Sequence, residues 1–195
     1  MSVTVALLDD LPAAELRFRW NGGRECLDFV ATVGERWRRS FERLRCAGDL
    51  GRWIAEAGLA DRAPGVTAAQ LGGARELREA IDRLARPSRA EEPGDRALVN
   101  AWAARPSLAH QLTADGGRAW AHDRPVEEVL AHLARDAIDL LSGPLAGRIR
   151  ECGADDCALL FVDASRPGRR RWCSGDGCGN RARTRAYRHR RRETP

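Results

Sequence analysis

Apolar residues recur at helical spacing in most stretches of this chain and alternate in only a few. Residues 25–33, ECLDFVATV, carry Leu27, Phe29, Val30 and Val33 at a spacing that predicts a short buried helix. Ahead of it, residues 15–20 (ELRFRW) alternate and predict a strand, followed by a turn at Asn21-Gly22-Gly23. The first dozen residues predict a loose leader. A short helix is predicted from Asp49, as its N-cap, to about Gly58. Thr67 opens a longer one, with Leu71, Ala74, Leu77, Ile81 and Leu84 on one stripe, an outer Glu79–Arg83 pair, and Pro87 as its stop. A charged loop over 88–95 precedes a helix over 97–104 built on Leu98, Val99 and Trp102. Two runs, LAHQLTA and RAWAH, flank Asp115-Gly116-Gly117 and predict a hairpin. Residues 126–141 form a strong amphipathic helix with Val129, Leu130, Leu133, Ala137, Ile138 and Leu141 inward, closed by Ser142-Gly143-Pro144. The expected fold is therefore mainly α (α+β): a helical N-terminal domain with a small β element over 1–144, then a small module over 145–195.

That module is defined by its cysteines. Cys152 with Cys157 and Cys173 with Cys178 form two C-x4-C pairs separated by fifteen residues. Each pair can bend round one cation, and four thiolates are the tetrahedral set that one structural zinc ion (Zn2+) prefers. With four protein ligands no position stays open, so the metal is expected to hold structure rather than catalyse. Gly175, Gly177 and Gly179 offer the positive φ that a tight knuckle uses. Leu159, Leu160 and Phe161 offer a small core under the metal, and Trp172 a cover for it. Cys26 and Cys46 have no sequence-near partners and read as buried thiols.

Charge changes the picture once more. From Arg166 to Arg192 there are eleven arginines and one acid, Asp176, a local charge of +10 in a chain whose net charge is +5. A basic tail on an acidic body points to a polyanion as partner. All 33 basic residues are arginine, which grips phosphate and guanine edges with paired hydrogen bonds. Arg169, Arg170 and Arg171 precede Cys173. After Cys178, Asn180 is the expected N-cap of a helix with Arg181, Arg185, Arg188 and Arg192 on one face. Ala182, Ala186 and His189 lie on a packing stripe, and Arg183, Tyr187 and Arg190 on a third face. The expected ligand is double-stranded DNA, with RNA as the alternative and a zinc-thiolate redox sensor as a third reading.

No catalytic constellation emerges, so no enzyme is expected. His110, His122 and His132 are isolated, and SGDGCGN reads as the turn between Cys173 and Cys178 rather than a phosphate loop. Asp155 and Asp156 read as solvated or knuckle-bonding carboxylates. No apolar run reaches membrane-spanning length and the start of the chain lacks a basic leader. The expected compartment is the cytoplasm, where paired cysteines bind metal rather than form disulfides.

At these residues the sequence resembles the CGNR zinc finger family, through Cys178-Gly179-Asn180-Arg181 together with Cys152, Cys157, Phe161, Asp163, Ser165, Arg170, Arg171, Trp172 and Cys173. The N-terminal part resembles the ABATE domain that accompanies this finger, through GGRECLDFVAT (22–32), DLGRWIAEAGL (49–59) and ARELREAIDRL (74–84). The resemblance implies a stress-induced bacterial transcription regulator that binds DNA, with a sensor or partner domain ahead of the finger. It further implies a small-molecule effector of the N-terminal domain, with Asp28 and Thr32 as candidate pocket residues, although Asp28 reads first as a carboxylate that caps or pairs locally. Ala31 stands where that family usually has Asn. A homodimer is expected on the ground that paired half-sites raise specificity.

Overall fold

The computed structural model describes residues 11–86, 90 and 92–193 of the chain. The predicted leader up to residue 10, the stop at Pro87 and positions 88, 89 and 91 of the charged loop lie outside them. Six helices and three two-stranded antiparallel sheets are described. Helices α1 (Glu25–Val30), α2 (Ala47–Glu56), α3 (Ala68–Ala85), α4 (Asp95–Ala103) and α5 (Pro125–Ser142) build the body. The two long helices, α3 and α5, lie against each other, and each also packs on α1, α2 and α4. The expected inward residues of α3 are buried, with Leu84 at the margin, and in α5 Ile138 and Leu141 are only half-buried while Leu140 takes a core position. Thr67 caps α3 as expected, exchanging bonds with Gln70 at 2.7 and 3.2 Å.

Four expectations are corrected in this region. The helix of 25–33 stops at Val30, because the hydroxyl and amide of Thr32 both turn back to the carbonyl of Phe29, at 2.7 and 3.1 Å. Val33 lies instead in β1 (Val33–Gly34), which pairs with β2 (Phe41–Glu42) in a hairpin whose turn puts Glu35 and Ser40 at φ 44° and 46°. Gly34 is required there: a Cβ would fall 2.3 Å from the Phe41 ring. Residues 15–20 form no strand; Phe18 is buried, and Trp20 stacks on Trp53 at 5.8 Å. The N-cap of α2 is Cys46, with Asp49 one turn inside, accepting from the amides of Arg45 and Cys46 at 2.9 and 3.0 Å. Cys46 is exposed, whereas Cys26 is buried as expected.

The core is crossed by a network of buried arginines. Arg78 meets Glu42 through two parallel bonds at 2.7 and 2.8 Å, both side chains being almost wholly buried. Arg36 pairs with Glu79 at 2.7 Å and Asp82 at 3.4 Å, and Asp82 also holds Arg86 at 2.7 Å. The predicted Glu79–Arg83 pair is absent from this arrangement: Glu79 faces Arg36 and Arg78, and Arg83 reaches Asp95 at 2.6 Å. The interior partners win because a charge leaving water needs its counter-charge at contact distance.

The expected hairpin is formed by β3 (Ala109–Leu112) and β4 (Arg118–Ala121), and Trp120 ties it to the body through Gly58 at 2.8 Å. The third sheet, β5 (Ile149–Glu151) with β6 (Leu160–Val162), carries the first cysteine pair in its connection. Ile149, Leu160 and Val162 belong to the same core as the helices, and the Val162 amide donates to Gly22 at 2.9 Å. Arg86 on the body reaches both flanks of that connection, donating to the Ala158 carbonyl at 2.7 Å and pairing with Glu151 at 2.8 Å. Trp37, from the β1–β2 turn, also donates to Glu151. Among the described residues, no helix is long and apolar enough to cross a membrane.

Two outcomes follow. Glu42→Gln removes the buried, bidentate counter-charge of Arg78, leaving only the contact with Glu79, and is expected to cost about 3 kcal/mol in urea unfolding. Asp28, whose carboxylate accepts the Gly22 amide at 2.8 Å, is pushed up to about 6 by burial. The folded state then holds this proton more tightly than the unfolded chain, so Asp28 erodes stability as pH rises from about 4 to about 6. Asp28→Asn keeps the acceptor and should flatten that decline, leaving the protein as stable at pH 7 or more so by about 1–2 kcal/mol. Unfolding curves across that pH range check it.

Candidate metal centre and basic helix

The four cysteines expected to bind metal come together. The sulfurs of Cys152, Cys157, Cys173 and Cys178 all lie within 4.8 Å of one another. Cys157 and Cys173 are 3.9 Å apart, and Cys173 and Cys178 3.6 Å. A zinc–sulfur bond of about 2.3 Å implies a tetrahedron edge of about 3.8 Å, so the donor set fits one zinc ion. The first pair is set by the β5–β6 hairpin, with the Cys152 amide donating to Leu159 at 2.9 Å. The second pair spans a π-helical turn (Gly175–Gly179) that runs straight into α6 (Asn180–Glu193).

Four thiols this close cannot all ionise without a cation. The Cys152 thiol is held well below the usual thiol range by hydrogen bonds from Cys157 and then Cys173. Cys157 is pushed up to about 12 by the same contact with Cys152, and Cys173 is raised as well, first by Cys152 and then by Cys157. One thiolate among reluctant neighbours is the state that a divalent cation resolves. The protein adds its own compensation: the Cys173 amide donates to the Cys152 sulfur at 3.4 Å, and the Arg181 guanidinium to the Cys178 sulfur at 3.1 Å.

The surroundings differ in part from expectation. Leu159 and Phe161 pack with the cysteines, while Leu160, one residue between them on the strand, faces the helical core. Trp172 covers the centre as expected. Gly175, Gly177 and Gly179 do not adopt positive φ, because the turn is helical in sense. Gly179 is tightly packed instead: a Cβ would lie 3.1 Å from Trp172. Asn180 is not the N-cap but helical itself; Ser174 caps the turn, accepting from Gly177 at 3.0 Å.

The arginines divide into two sets. Arg181 pairs with Asp156 at 3.3 Å, and Arg185 with Asp155 at 3.2 Å and Asp156 at 3.0 Å. These acids, in the first cysteine loop, are thus counter-ions of the helix. Arg170 lies over the Phe161 ring at 4.7 Å and donates to the carbonyls of Trp172 and Cys173. Its amide and Ser165 are gathered by buried Asp163, at 2.8 and 2.6 Å. Arg169, Arg171, Arg183, Arg188 and Arg190 are exposed, with Arg171 over Trp172 at 5.1 Å. Ala186, expected on a packing stripe, is exposed too, and the side chains of His189 and Arg192 lie outside the described ones.

A cavity of about 410 Å³ opens between the β1–β2 hairpin and the cysteine cluster. Ala31, Arg19, Arg43, Phe41 and Arg181 are on its wall; Asp28 and Thr32 are not. Asp28 is spent on the Asn21–Gly23 turn, and Thr32 is buried between Phe29 and Arg78. Asp28 thus takes the local capping role its sequence context suggests, and position 31, where the family usually has Asn, is the one of the three that faces this cavity. Arg43 and Arg86 were not singled out from the sequence, and with so many arginines in the chain nothing there distinguishes them.

Comparison with known families agrees with this architecture. Residues 23–144 match the family described as "ABATE: Putative stress-induced transcription regulator", and residues 148–191 match "CGNR zinc finger". The chain belongs to the ABATE family and ends in a CGNR zinc finger. No curated protein matches it. Both descriptions are of non-enzymatic kinds, and the four-cysteine group fits the single structural zinc of such a finger.

Zinc affinity should depend on the guanidinium at Cys178. Arg181→Met is expected to weaken zinc about 10-fold or more in competition against a chromophoric chelator, with the stoichiometry still one zinc per chain. An unchanged affinity would show that the Arg181–sulfur contact contributes nothing to the centre.

Proposed function

We propose that this chain is a zinc-dependent DNA-binding regulator of transcription. Cys152, Cys157, Cys173 and Cys178 hold the metal, and α6 is the element that meets double-stranded DNA. The observation that carries this reading is the exposure of α6: every described side chain from Arg183 onward is exposed, on a helix whose first turn is anchored to the metal centre. A rigidly seated, arginine-lined helix suits entry into a major groove or a course along the phosphates. Asn180, Arg183, Arg188 and Arg190 form the contact surface. Arg169 and Arg171 reach phosphates from the loop before Cys173. Arg185 joins by exchanging Asp155 and Asp156 for phosphate. Arg181 and Arg170 act through the metal centre and its loop rather than by touching nucleic acid. Residues 1–144 serve as the sensor or partner part and 145–195 as the DNA-reading part of a cytoplasmic, non-enzymatic protein that binds its sites as a homodimer.

The test is the salt dependence of duplex binding by zinc-loaded protein. Arg188→Ala and Arg183→Ala should each weaken binding and reduce the log–log salt slope by about 0.9. Arg185→Ala should show the smaller effect, since its phosphate contact costs an existing ion pair. If Arg183 and Arg188 leave affinity and slope untouched, α6 is not the reading element. Structured RNA that competes better than duplex DNA would transfer the same surface to RNA recognition.

A further inference from the structure

The cavity beside the cysteine cluster contains an arginine that the fold leaves incompletely used. Arg43 is 5% exposed. Its Nε donates to the Glu15 carbonyl at 2.8 Å, its Nη1 donates to the Ala31 carbonyl at 2.9 Å, and its guanidinium lies 4.7 Å from the centre of the Phe41 ring. Nη2 has no partner among the described residues, and no carboxylate pairs with this side chain. Burial, and then the neighbouring Arg19, lower its pKa to about 10, against the opposing pull of Cys157, Glu15 and Glu42. A mostly buried guanidinium that presents a spare donor group to a cavity can take an anion there.

The acids around the cavity are already committed. Glu15 and Glu35 share Arg39, at 2.7 and 2.8 Å. Asp156 is engaged by Arg181 and Arg185. Arg19, at the exposed rim, has no partner among the described residues. The zinc-bound thiolates are formally dianionic, but Arg181 lies on the Cys178 sulfur and the Cys173 amide on the Cys152 sulfur. Ala31, Val33, Phe41 and Leu159 give the cavity an apolar wall. The cavity of about 410 Å³ also takes in the metal-facing side of Cys157, Cys173 and Cys178, and the space beyond the metal is sized for a small ligand.

We propose that this cavity binds a small organic carboxylate, with Arg43 and Arg19 holding the anionic end and the wall of Ala31, Val33, Phe41 and Leu159 covering an aromatic or branched body. Ser174 and Gly177, in the turn that begins α6, line the same cavity. An occupant therefore touches the base of the basic helix as well as the N-terminal body. The binding site stands on the cavity alone; only the consequence, control of α6, rests on the regulator reading.

Calorimetric titration of the zinc-loaded full chain with benzoate, benzamide and inorganic phosphate tests the proposal. Benzoate is expected to bind saturably, and the neutral isostere benzamide and apolar-free phosphate each about 10-fold or more weaker. Arg19→Gln, at an exposed position, and Arg43→Gln should each weaken benzoate about 10-fold. Ala31→Leu, which fills the cavity without touching charge, should abolish binding. No saturable heat at millimolar benzoate overturns the proposal, as does equal binding of benzamide. It is equally overturned if Arg43→Gln lowers zinc affinity while benzoate binding stays intact, which would make Arg43 a counter-ion of the metal centre only. No nucleic acid is present in these titrations, so a failure here leaves the role of α6 standing, and a failure of DNA binding leaves the site standing.

Discussion

Four sulfur atoms held within 4.8 Å of one another impose a constraint that the rest of the C-terminal region answers. Their mutual repulsion on ionisation needs a cation, and the cation in turn needs two chain segments brought from either side of a loop. One segment is a β hairpin seated in the helical core; the other is a helical turn that becomes α6. The metal therefore joins the body to the basic helix, and the direction in which α6 leaves the surface is set by sulfur geometry rather than by a packed apolar face. That explains how a helix with so few apolar residues has a fixed start.

Arginine does two separate jobs in this chain. Inside, Arg36, Arg78 and Arg86 are buried against Glu42, Glu79 and Asp82, where a planar guanidinium can satisfy several acceptors at once. Outside, α6 presents arginines to solvent. Between the two lie Arg181 and Arg185, which bridge from the helix to the acids of the first cysteine loop. Those acids shield part of the positive face, so the C-terminal half of the helix is more available than its N-terminal half.

Much of this was legible in the sequence. The cysteine spacing defined the metal centre, and periodicity defined α3, α4, α5 and the β3–β4 hairpin, because in each case a local pattern coincides with the tertiary role. The misreadings occur where distant partners override local pattern. Val33 continues the apolar spacing of α1 but is drawn into a strand by Phe41 and Glu42. Glu79 and Arg83 have ideal helical spacing, yet each takes a closer partner from another segment. Asn180 is a favourable cap by residue type, but a π turn already supplies the preceding helical turn. Near α1, the family comparison drew attention to Ala31 by its departure from Asn, whereas which of residues 28–32 faces outward depends on where α1 ends, and local pattern did not give that end.

The seating of β5 and β6 also bears on how such proteins are assembled from parts. Ile149, Leu160 and Val162 are core residues of the helical body, and Arg86 grips the loop that carries the first two cysteines. A finger excised at the start of β5 would carry three orphaned apolar side chains into water and leave a groove in what remained. This finger is thus not a detachable cassette. Exchanging it between relatives would require the recipient body to offer a matching groove and an arginine at the position of Arg86, so body and finger are constrained to vary together.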